Sequence, residues 1–292
     1  MNRHLRNGLL ALGACAGLSV INSCAAVGGA MQIAGGLTGD QSLSQAGGNF
    51  SRVAQVQEFS EEEKMYTGRT VAANLLAQSR LSPRLGLERY LGSVGQTVAQ
   101  ASQKPDLPQG WHFVLLDDHD LGAFSAPGVI VMVEEDLVRL CQNEDELAGV
   151  LAHEVAHVAL DHPMQAISAS NQKAAFESLA AWGYNKASQG NQDLAGLQDQ
   201  FKNVTKDVGE AVGHGYDRDK ESAADLEAVR ICAQLGYDPR GLARVLRRLK
   251  SGDKSHGDPA QRAAAVEQAC AALSNPPQPL PVRTARFVAA LR

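Results

Sequence analysis

The 292-residue chain lacks long apolar runs, an excess of basic residues and a high aromatic content. No run approaches the ~20 apolar residues with which a helix crosses a bilayer, so the sequence predicts no membrane-spanning helix. The formal net charge is -5 and lysine and arginine form no long cluster, which makes nucleic acid a poor partner. Aromatic residues make up 5% of the chain and there are 28 glycines, so the composition favours close helix packing over an aromatic-rich binding surface.

The first 24 residues predict export from the cytoplasm. A positively charged start precedes an apolar stretch and then Cys24, an order typical of a bacterial lipoprotein signal peptide. We therefore interpret residues 1–24 as the signal, with Cys24 as the lipidated residue and the membrane anchor. Lipidation at Cys15 is one alternative, and ordinary secretion with cleavage after Ala25 or Ala26 is another. Ala25, rather than Asp, resembles the sorting signal for the outer membrane and favours a location there, facing the periplasm.

The sequence also lacks the paired cysteine spacing of a cysteine zinc site. Export places the three remaining cysteines, Cys141, Cys232 and Cys270, in an oxidising compartment. Three thiols permit one disulfide and one free thiol. We predict that Cys232 pairs with Cys270.

Composition and periodicity divide the chain into three parts. A stretch rich in Gly, Ala, Ser and Gln predicts a flexible tether at residues 25–57, and residues 58–292 form the folded domain. In that domain a capping box at Ser60 and Glu63 predicts the start of the first helix. The segment 168–213 has no sharp motif and is interpreted as mobile helices or loops. The other predicted elements are helices at 60–78, 83–100, 144–161 and 217–235, and strands at 111–116 and 128–133.

The strongest chemical signal is His153-Glu154-Val155-Ala156-His157. An apolar face predicts that this segment is an amphipathic helix, and residues four apart lie on one face of a helix. Both imidazoles can therefore bind one zinc ion. Glu154 lies beside the first ligand, where a general base can activate the attacking water.

A zinc hydrolase needs a third protein ligand, and Glu221 is the candidate. Glu221 and Asp225 lie four apart on a predicted helix whose apolar side contains Leu226, Val229 and Cys232. We predict that Glu221 binds the zinc. Asp225 accepts the second ring N–H of a liganding histidine and so fixes its tautomer.

Several stretches together resemble the HtpX-like and CaaX-prenyl-protease-like zinc peptidase family, in its lipoprotein-anchored branch. The resemblance runs from about residue 59 to 265 and implies the same ligands, His153, His157 and Glu221, with Glu154 as catalyst. It also implies an α+β, mostly helical, zincin-like (gluzincin) fold with a small β-sheet beside the active-site helix. Gly122 and Val129 depart from the usual Asn and Gly of the family. The matching stretches are 123–128, 144–148, 153–157, 216–225 and 236–239.

The family resemblance adds three expectations around the zinc. His256 and Arg262 resemble the C-terminal His…Arg element of the family, whose cation could stabilise the oxyanion of the reaction. The strand at 129–133 is expected beside the active-site helix, where it could pair with an extended peptide or be an ordinary buried strand. His256 could also occupy the fourth zinc position at rest and act as a latch. The other histidines, including His112, His119, His162 and His214, are interpreted as surface or structural residues.

These features predict a zinc-dependent endopeptidase of the bacterial cell envelope with one Zn²⁺ per chain. Its expected substrates are extended or misfolded envelope proteins, as in protein quality control, and its membrane partner is reached through the lipid on Cys24. The first alternative is an envelope chaperone or assembly factor that keeps the zinc fold with little proteolysis. The second is a structural lipoprotein with a chance motif.

Overall fold

The computed structural model describes residues 61–107, 110–169, 216–249 and 256–292, which all fall within the unit Phe59–Arg292. The signal at 1–24, the tether at 25–57, the Ser60 cap, His214 and nearly all of the segment 168–213 lie outside the described residues. No helix in the described ranges is long and apolar enough to cross a membrane.

Helices dominate the described part and surround one small sheet. The predicted helices and strands are confirmed to within about two residues at most ends, and the short strand β2 was not predicted. The elements are α1 (Glu61–Gln78), α2 (Leu85–Ala99), β1 (His112–Leu116), β2 (Ala123–Ala126), β3 (Ile130–Glu134), α3 (Glu135–Leu140), α4 (Glu144–Ala159), α5 (His162–Ala169), α6 (Arg218–Gln234), α7 (Gly241–Arg248), α8 (Pro259–Ala271) and α9 (Pro281–Ala290).

The three strands are arranged in the order β1-β3-β2. β3 pairs in parallel with β1 and antiparallel with β2, so both of its edges are already hydrogen bonded. The expectation that residues 129–133 could pair with a substrate is therefore wrong, because no free backbone groups remain there. The edge next to the active-site helix α4 belongs to β2, which is only four residues long and begins and ends with alanine.

Val129, just before β3, has a left-handed backbone with φ of 72°. Gly128 before it has φ of 71°, and a side chain there would meet the backbone of Met65 in α1 at 2.9 Å. A left-handed conformation is unfavourable for a β-branched residue. Val129 is 1% exposed, so burial of its side chain offsets the unfavourable conformation.

Helix α4 is the centre of the fold. Asn143 caps it, since its side chain accepts a hydrogen bond from the backbone N–H of Glu146 at 3.0 Å. All sixteen of its residues are buried, so the predicted amphipathic pattern is wrong in one respect: no face of α4 is exposed to solvent. The helices α2, α6, α7 and α9 and the strand β2 cover it, and arginines neutralise the acidic residues of its first turn.

Helix α6 packs along α4 but not with the predicted face. Val229 and Cys232 are buried as predicted, whereas Leu226 is 53% exposed and was assigned to the wrong side. The buried side of α6 instead includes the polar residues Glu221 and Asp225, which face α4. A hydrophobicity pattern cannot identify a buried face that carries functional carboxylates.

The three cysteines in the described residues are free thiols, so the predicted Cys232–Cys270 disulfide is not formed. Cys141, Cys232 and Cys270 are all buried in the main core. Burial raises the pKa of each thiol, and the charge that Cys270 would carry raises that of Cys232 further. A disulfide forms through a thiolate, and these surroundings disfavour that species.

Candidate metal centre and active site

His153 and His157 lie one turn apart on α4 and converge as the spacing predicts. Their Nε2 atoms are 3.0 Å apart, and both residues are nearly inaccessible to solvent. Surrounding α4 with apolar helices removes the histidines from bulk water. The helix therefore presents two imidazole nitrogens at a single buried point.

Glu221 reaches the same point from α6. Asp217 caps this helix through the backbone N–H of Lys220 at 3.0 Å, which places Glu221 in the first turn. One carboxylate oxygen of Glu221 lies 3.4 Å from His153 Nε2, and the other lies 3.6 Å from His157 Nε2. Two helices thus bring three potential ligands together.

The spacing of these three groups fits a tetrahedral metal ion. Ligand atoms about 2.0–2.2 Å from zinc in tetrahedral geometry lie roughly 3.3–3.6 Å from one another. The two Nε2 atoms are 3.0 Å apart, and the two oxygens of Glu221 lie 3.4 Å from His153 Nε2 and 3.6 Å from His157 Nε2, which comes close to that range. Two imidazoles and a carboxylate are also ligands that zinc accepts, so the residues present fit the ion.

His256 joins the cluster from the segment that precedes α8. Its ligand atoms lie within 4.8 Å of those of the other three residues. Nδ1 is 3.1 Å from the Glu221 carboxylate, and Nε2 donates to the backbone carbonyl of Ala123 at 3.3 Å. One imidazole therefore contacts both the metal-binding group and the edge strand β2.

Asp225 lies one turn after Glu221 and holds His153 from behind. Its carboxylate is 3.0 Å from His153 Nδ1. Arg262 on α8 donates two hydrogen bonds to Asp225, at 2.9 and 2.7 Å. Nη1 of the same guanidinium donates to the carbonyl oxygen of His256 at 3.1 Å and lies 3.3 Å from Oε2 of Glu221. The structure thus places Arg262 behind the ligands, with its donors directed at protein groups.

Two residues at the site were missed by sequence reasoning. His162 is 5% exposed, and its Nδ1 lies 2.9 Å from His157 Nδ1, so it supports the second histidine as Asp225 supports the first. The ring of Tyr216 stacks on His157 with centroids 4.4 Å apart. In the sequence, the available signal for His162 was that it lies five residues after His157. Tyr216 lies beside the Asp217 cap but carries no spacing signal of its own.

Glu154 is 2% exposed, and its Oε2 has no hydrogen-bond partner among the described residues. The hydroxyls of Ser125 and Tyr216 are likewise buried there. A buried carboxylate oxygen without a partner is unfavourable unless water or a ligand completes it. The unpaired oxygen next to His153 is therefore available to a water molecule at the metal centre.

The protonation of the ligands differs across the cluster. Burial and Arg262 lower the pKa of His153, but hydrogen bonds to Asp225 and Glu221 outweigh them and raise it to about 9. Burial and the neighbouring His153 hold the pKa of His157 well below its usual value. Burial opposes ionisation of Glu221, yet His153 and His256 hold its pKa well below the usual range. Because a metal binds the neutral imidazole, metal binding releases the His153 proton.

The fold and the site define a gluzincin-type metallopeptidase: an HExxH helix beside a small sheet, with a glutamate from a second helix facing both histidines. The comparison with protein families identifies it more closely. The model of Peptidase family M48 matches residues 87–270, more than half of the chain, and the chain belongs to this family of zinc metallopeptidases.

Curated relatives share the central part of the chain. It is 24% identical over 165 residues to the beta-barrel assembly-enhancing protease of Escherichia coli, which is 56% of this chain and 32% of that protein. It is 27% identical over 168 residues to the mitochondrial metalloendopeptidase OMA1 of Schizosaccharomyces pombe, 58% of this chain and 45% of that one. Identity to metalloprotease YcaL of Escherichia coli is 31% over 136 residues, 46% and 49% of the two chains. The chain spans a third to a half of the length of these relatives.

Proposed function

We propose that this protein is a zinc endopeptidase of the bacterial cell envelope that hydrolyses extended or misfolded polypeptides. It binds one Zn²⁺ through His153, His157 and Glu221. The observation that carries the proposal is the convergence of these three groups beside the unpaired carboxylate oxygen of Glu154.

The residues of the chain divide the work of hydrolysis. Zinc, when bound, supplies Lewis-acid chemistry that acidifies water and polarises a peptide carbonyl. Glu154 accepts the proton of the attacking water and passes it to the leaving amine. Asp225 orients His153, and His162 orients His157, through the ring nitrogens that face away from the cluster.

The edge of β2 supplies a binding site for the substrate backbone. Glu134 donates from its backbone N–H to the carbonyl of Gly122 at 3.0 Å, which makes these two residues a hydrogen-bonded pair. Antiparallel pairing alternates, so the backbone groups of Ala123 and Ser125 point away from β3. An extended peptide can add a strand here and is then recognised mainly through its backbone. This is why extended or misfolded segments suit the site.

His256 restrains the resting enzyme in this proposal. Its Nδ1 faces the Glu221 carboxylate, and its Nε2 uses the Ala123 carbonyl that a substrate strand would bond. The imidazole therefore contacts both the carboxylate that would hold the zinc and the substrate edge, so it would compete with water for a bound zinc ion. A peptide that adds to β2 would displace it from both contacts.

The cellular part of the proposal rests on the N-terminal sequence. Cys24 carries the lipid that anchors the protein in the outer membrane, facing the periplasm, and residues 25–57 connect the anchor to the enzyme. The three relatives described above all bear names of proteases, and one is named as enhancing beta-barrel assembly. Unfolded envelope proteins are substrates that such a location would supply.

The decisive experiment compares the zinc-loaded protein with Glu154→Gln on unfolded casein. The amide cannot accept the proton of the attacking water, so we expect hydrolysis to fall by at least about 10²–10⁴-fold while zinc remains bound. Glu88→Gln, in the first turn of α2 and outside the cluster, is the matched control. Casein cleavage that persists at the normal rate in Glu154→Gln would reject Glu154 as the base. No cleavage by the wild-type protein despite bound zinc would favour the chaperone alternative.

A further inference from the structure

Tyr216, which precedes the Asp217 cap of α6, contacts three of the elements that form the site. Its ring stacks on His157 of α4 with centroids 4.4 Å apart, and its backbone N–H donates to Oε1 of Glu221 at 3.4 Å. Its side chain also interacts with that of Ser125 in the edge strand β2. Tyr216 is therefore fixed against two of the potential zinc ligands and against the strand proposed to bind the substrate.

The hydroxyl of Tyr216 is a buried donor close to the proposed general base. Its oxygen is nearly inaccessible to solvent, as are Oγ of Ser125 and Oε2 of Glu154. Glu154 and Glu221 are the two charged groups that act on the phenol. A phenol keeps its proton at neutral pH because its ordinary pKa is about 10, whereas an ionised carboxylate can only accept. Tyr216 thus supplies a hydrogen-bond donor next to a base that has none.

The donors that family resemblance associates with the oxyanion are already bonded to the protein. Arg262 donates to Asp225 and to the carbonyl of His256. The Nε2 of His256 bonds the carbonyl of Ala123, and a peptide added to β2 would take that carbonyl. The phenol of Tyr216 is different because its partner is another neutral hydroxyl. It can exchange that contact for a stronger hydrogen bond to an anion.

A ligand has access to Tyr216 from a cavity of about 330 Å³, which Tyr216 and Glu221 border together. The proposed substrate edge leads to the same place. Ser125 presents its backbone to an added strand, because the antiparallel pairing directs those groups away from β3. Its side chain meanwhile contacts Tyr216. A peptide that pairs with Ser125 therefore brings its own backbone next to the phenol.

We propose that Tyr216 is a further catalytic residue, whose hydroxyl donates a hydrogen bond to the carbonyl oxygen of the scissile bond as that oxygen becomes negatively charged. This rests on the proposed peptidase function. When water attacks the carbonyl carbon, a C–O bond forms, the carbonyl π pair moves to its oxygen, and Glu154 takes the proton of the water. The O–H of Tyr216 stabilises the charged oxygen without losing its proton. The pair then re-forms the carbonyl, the C–N bond breaks, and Glu154 passes the proton to the amine.

The kinetic test uses the full-length zinc-loaded protein and a fluorescence-quenched casein peptide that the wild type cleaves. Tyr216→Phe keeps the ring that stacks on His157 and removes only the hydroxyl. We expect kcat to fall about 100-fold with KM and zinc content unchanged, since loss of one oxyanion donor costs on this scale. Tyr90→Phe is the matched control, because the hydroxyl that it removes bonds Glu144 outside the cluster. An unchanged kcat in Tyr216→Phe would overturn the proposal.

A binding measurement detects the hydroxyl without hydrolysis. A casein peptide whose central peptide bond is replaced by a phosphinate copies the tetrahedral shape and the negative charge of the intermediate. By calorimetry, we expect it to bind zinc-loaded Tyr216→Phe about 100-fold more weakly than wild type. The unmodified peptide should bind equally to Glu154→Gln with and without Tyr216→Phe. Equal weakening of both ligands, or loss of zinc, would overturn the proposal and assign Tyr216 to support of His157.

The two measurements separate failure of this proposal from failure of the proposed function. If wild type binds the phosphinate, Tyr216→Phe loses that affinity, and neither protein cleaves casein, the peptidase function is rejected and the hydrogen bond from Tyr216 is retained. If wild type cleaves casein, and Tyr216→Phe matches it in both kcat and phosphinate affinity, Tyr216 is rejected as a donor and the peptidase function is retained.

Discussion

Three side chains contact one another in a row that leads outward from the metal centre. Each one fixes the orientation of the side chain before it. His153 faces the cluster, Asp225 lies 3.0 Å from its Nδ1, and Arg262 holds Asp225 with two hydrogen bonds. His153 and Asp225 are buried and the Arg262 side chain is only 12% exposed, so their geometry is rigid and their charges are strongly coupled. The contacts of Arg262 give it a positioning role alongside the oxyanion role inferred from family resemblance, which stays a prediction.

The carboxylate of Asp225 should therefore tune metal affinity. In Asp225→Asn the side chain no longer carries the charge that pairs with His153 and Arg262, so we expect zinc affinity to fall about 10–100-fold. Competition with a chelator of known affinity measures it. Asp219→Asn is the matched control, since Asp219 is exposed on the same helix. Equal zinc affinity in both variants would show that Asp225 does not support the ligand.

His256 gives a second prediction at this scale. If the imidazole restrains the resting site, His256→Ala frees the Ala123 carbonyl and the fourth metal position, and basal casein cleavage or self-cleavage should rise several-fold. Proteolysis is followed by gel, with zinc content measured in parallel. A fall in kcat at unchanged zinc content would instead assign His256 to stabilisation of the oxyanion.

Among the elements, α4 and α7 approach each other through glycine. A Cβ built on Gly149 would lie 2.6 Å from the backbone nitrogen of Leu242, and one on Gly241 would lie 2.3 Å from the carbonyl of Asp145. Both contacts are with backbone atoms, which cannot rotate away as a flexible side chain can. The two glycines therefore set the distance between α4 and α7.

Two glycine-to-alanine substitutions should change the free energy of unfolding in opposite directions. Gly149→Ala forces the helices apart, and we expect a loss of about 1–3 kcal/mol in the free energy of unfolding. Gly92→Ala in α2 meets nothing within 4 Å, so it should add about 0.5–1 kcal/mol through the better helix propensity of alanine. Urea unfolding of both variants measures the difference. Equal effects would mean that the α4–α7 contact can relax.

For the whole molecule, the buried acidic start of α4 ties the C-terminal helix to the core. Glu144 is fully buried and accepts hydrogen bonds from Tyr90 at 2.6 Å, from Tyr237 at 3.0 Å and from Arg286 of α9. Burial raises the pKa of Glu144, but the hydrogen bonds from Arg286 and the two tyrosines outweigh it and lower the pKa below its usual value. Segments far apart in the sequence thus share one carboxylate.

This network should make the free energy of unfolding depend on pH. A carboxyl whose pKa is lower in the folded chain contributes fully above its ordinary pKa of 4.5, and the contribution is lost as pH falls through the folded value. Glu144→Gln should therefore cost about 1.5–3 kcal/mol at pH 7 and less at about pH 3. Denaturant unfolding at both pH values measures it, with Glu88→Gln as control. A cost that does not change with pH would show that the charge of Glu144 is not what stabilises the fold.

The proposed lipid anchor gives a prediction for the whole molecule. If residues 25–57 form the predicted tether, Cys24→Ala should release the protein from the membrane fraction without loss of casein cleavage, because a tether keeps the anchor separate from the enzyme. Fractionation and incorporation of labelled palmitate measure the effect. Palmitate retained by Cys24→Ala and lost in Cys15→Ala would move the anchor to Cys15.

Local pattern was sufficient where a physical rule acts over a few residues. The caps Asn143 and Asp217 and the four-residue spacing of His153 and His157 each depend on contacts within one helical turn, and the sequence predicted the helices that contain them. Wrong assignments came where packing decides. Leu226 fits an apolar stripe but faces solvent, and β2 was too short to predict.

By itself the sequence determined the helices that present the candidate ligands and the candidate base, because those follow from residue chemistry and helical periodicity. Only the tertiary structure decided which strand has a free edge, since that depends on pairing between distant segments. It also decided that His162 supports His157, that the cysteines remain apart as thiols, and that Arg262 lies behind Asp225. Each of these is a contact between side chains whose distance depends on how whole helices pack, and no local pattern encodes that distance.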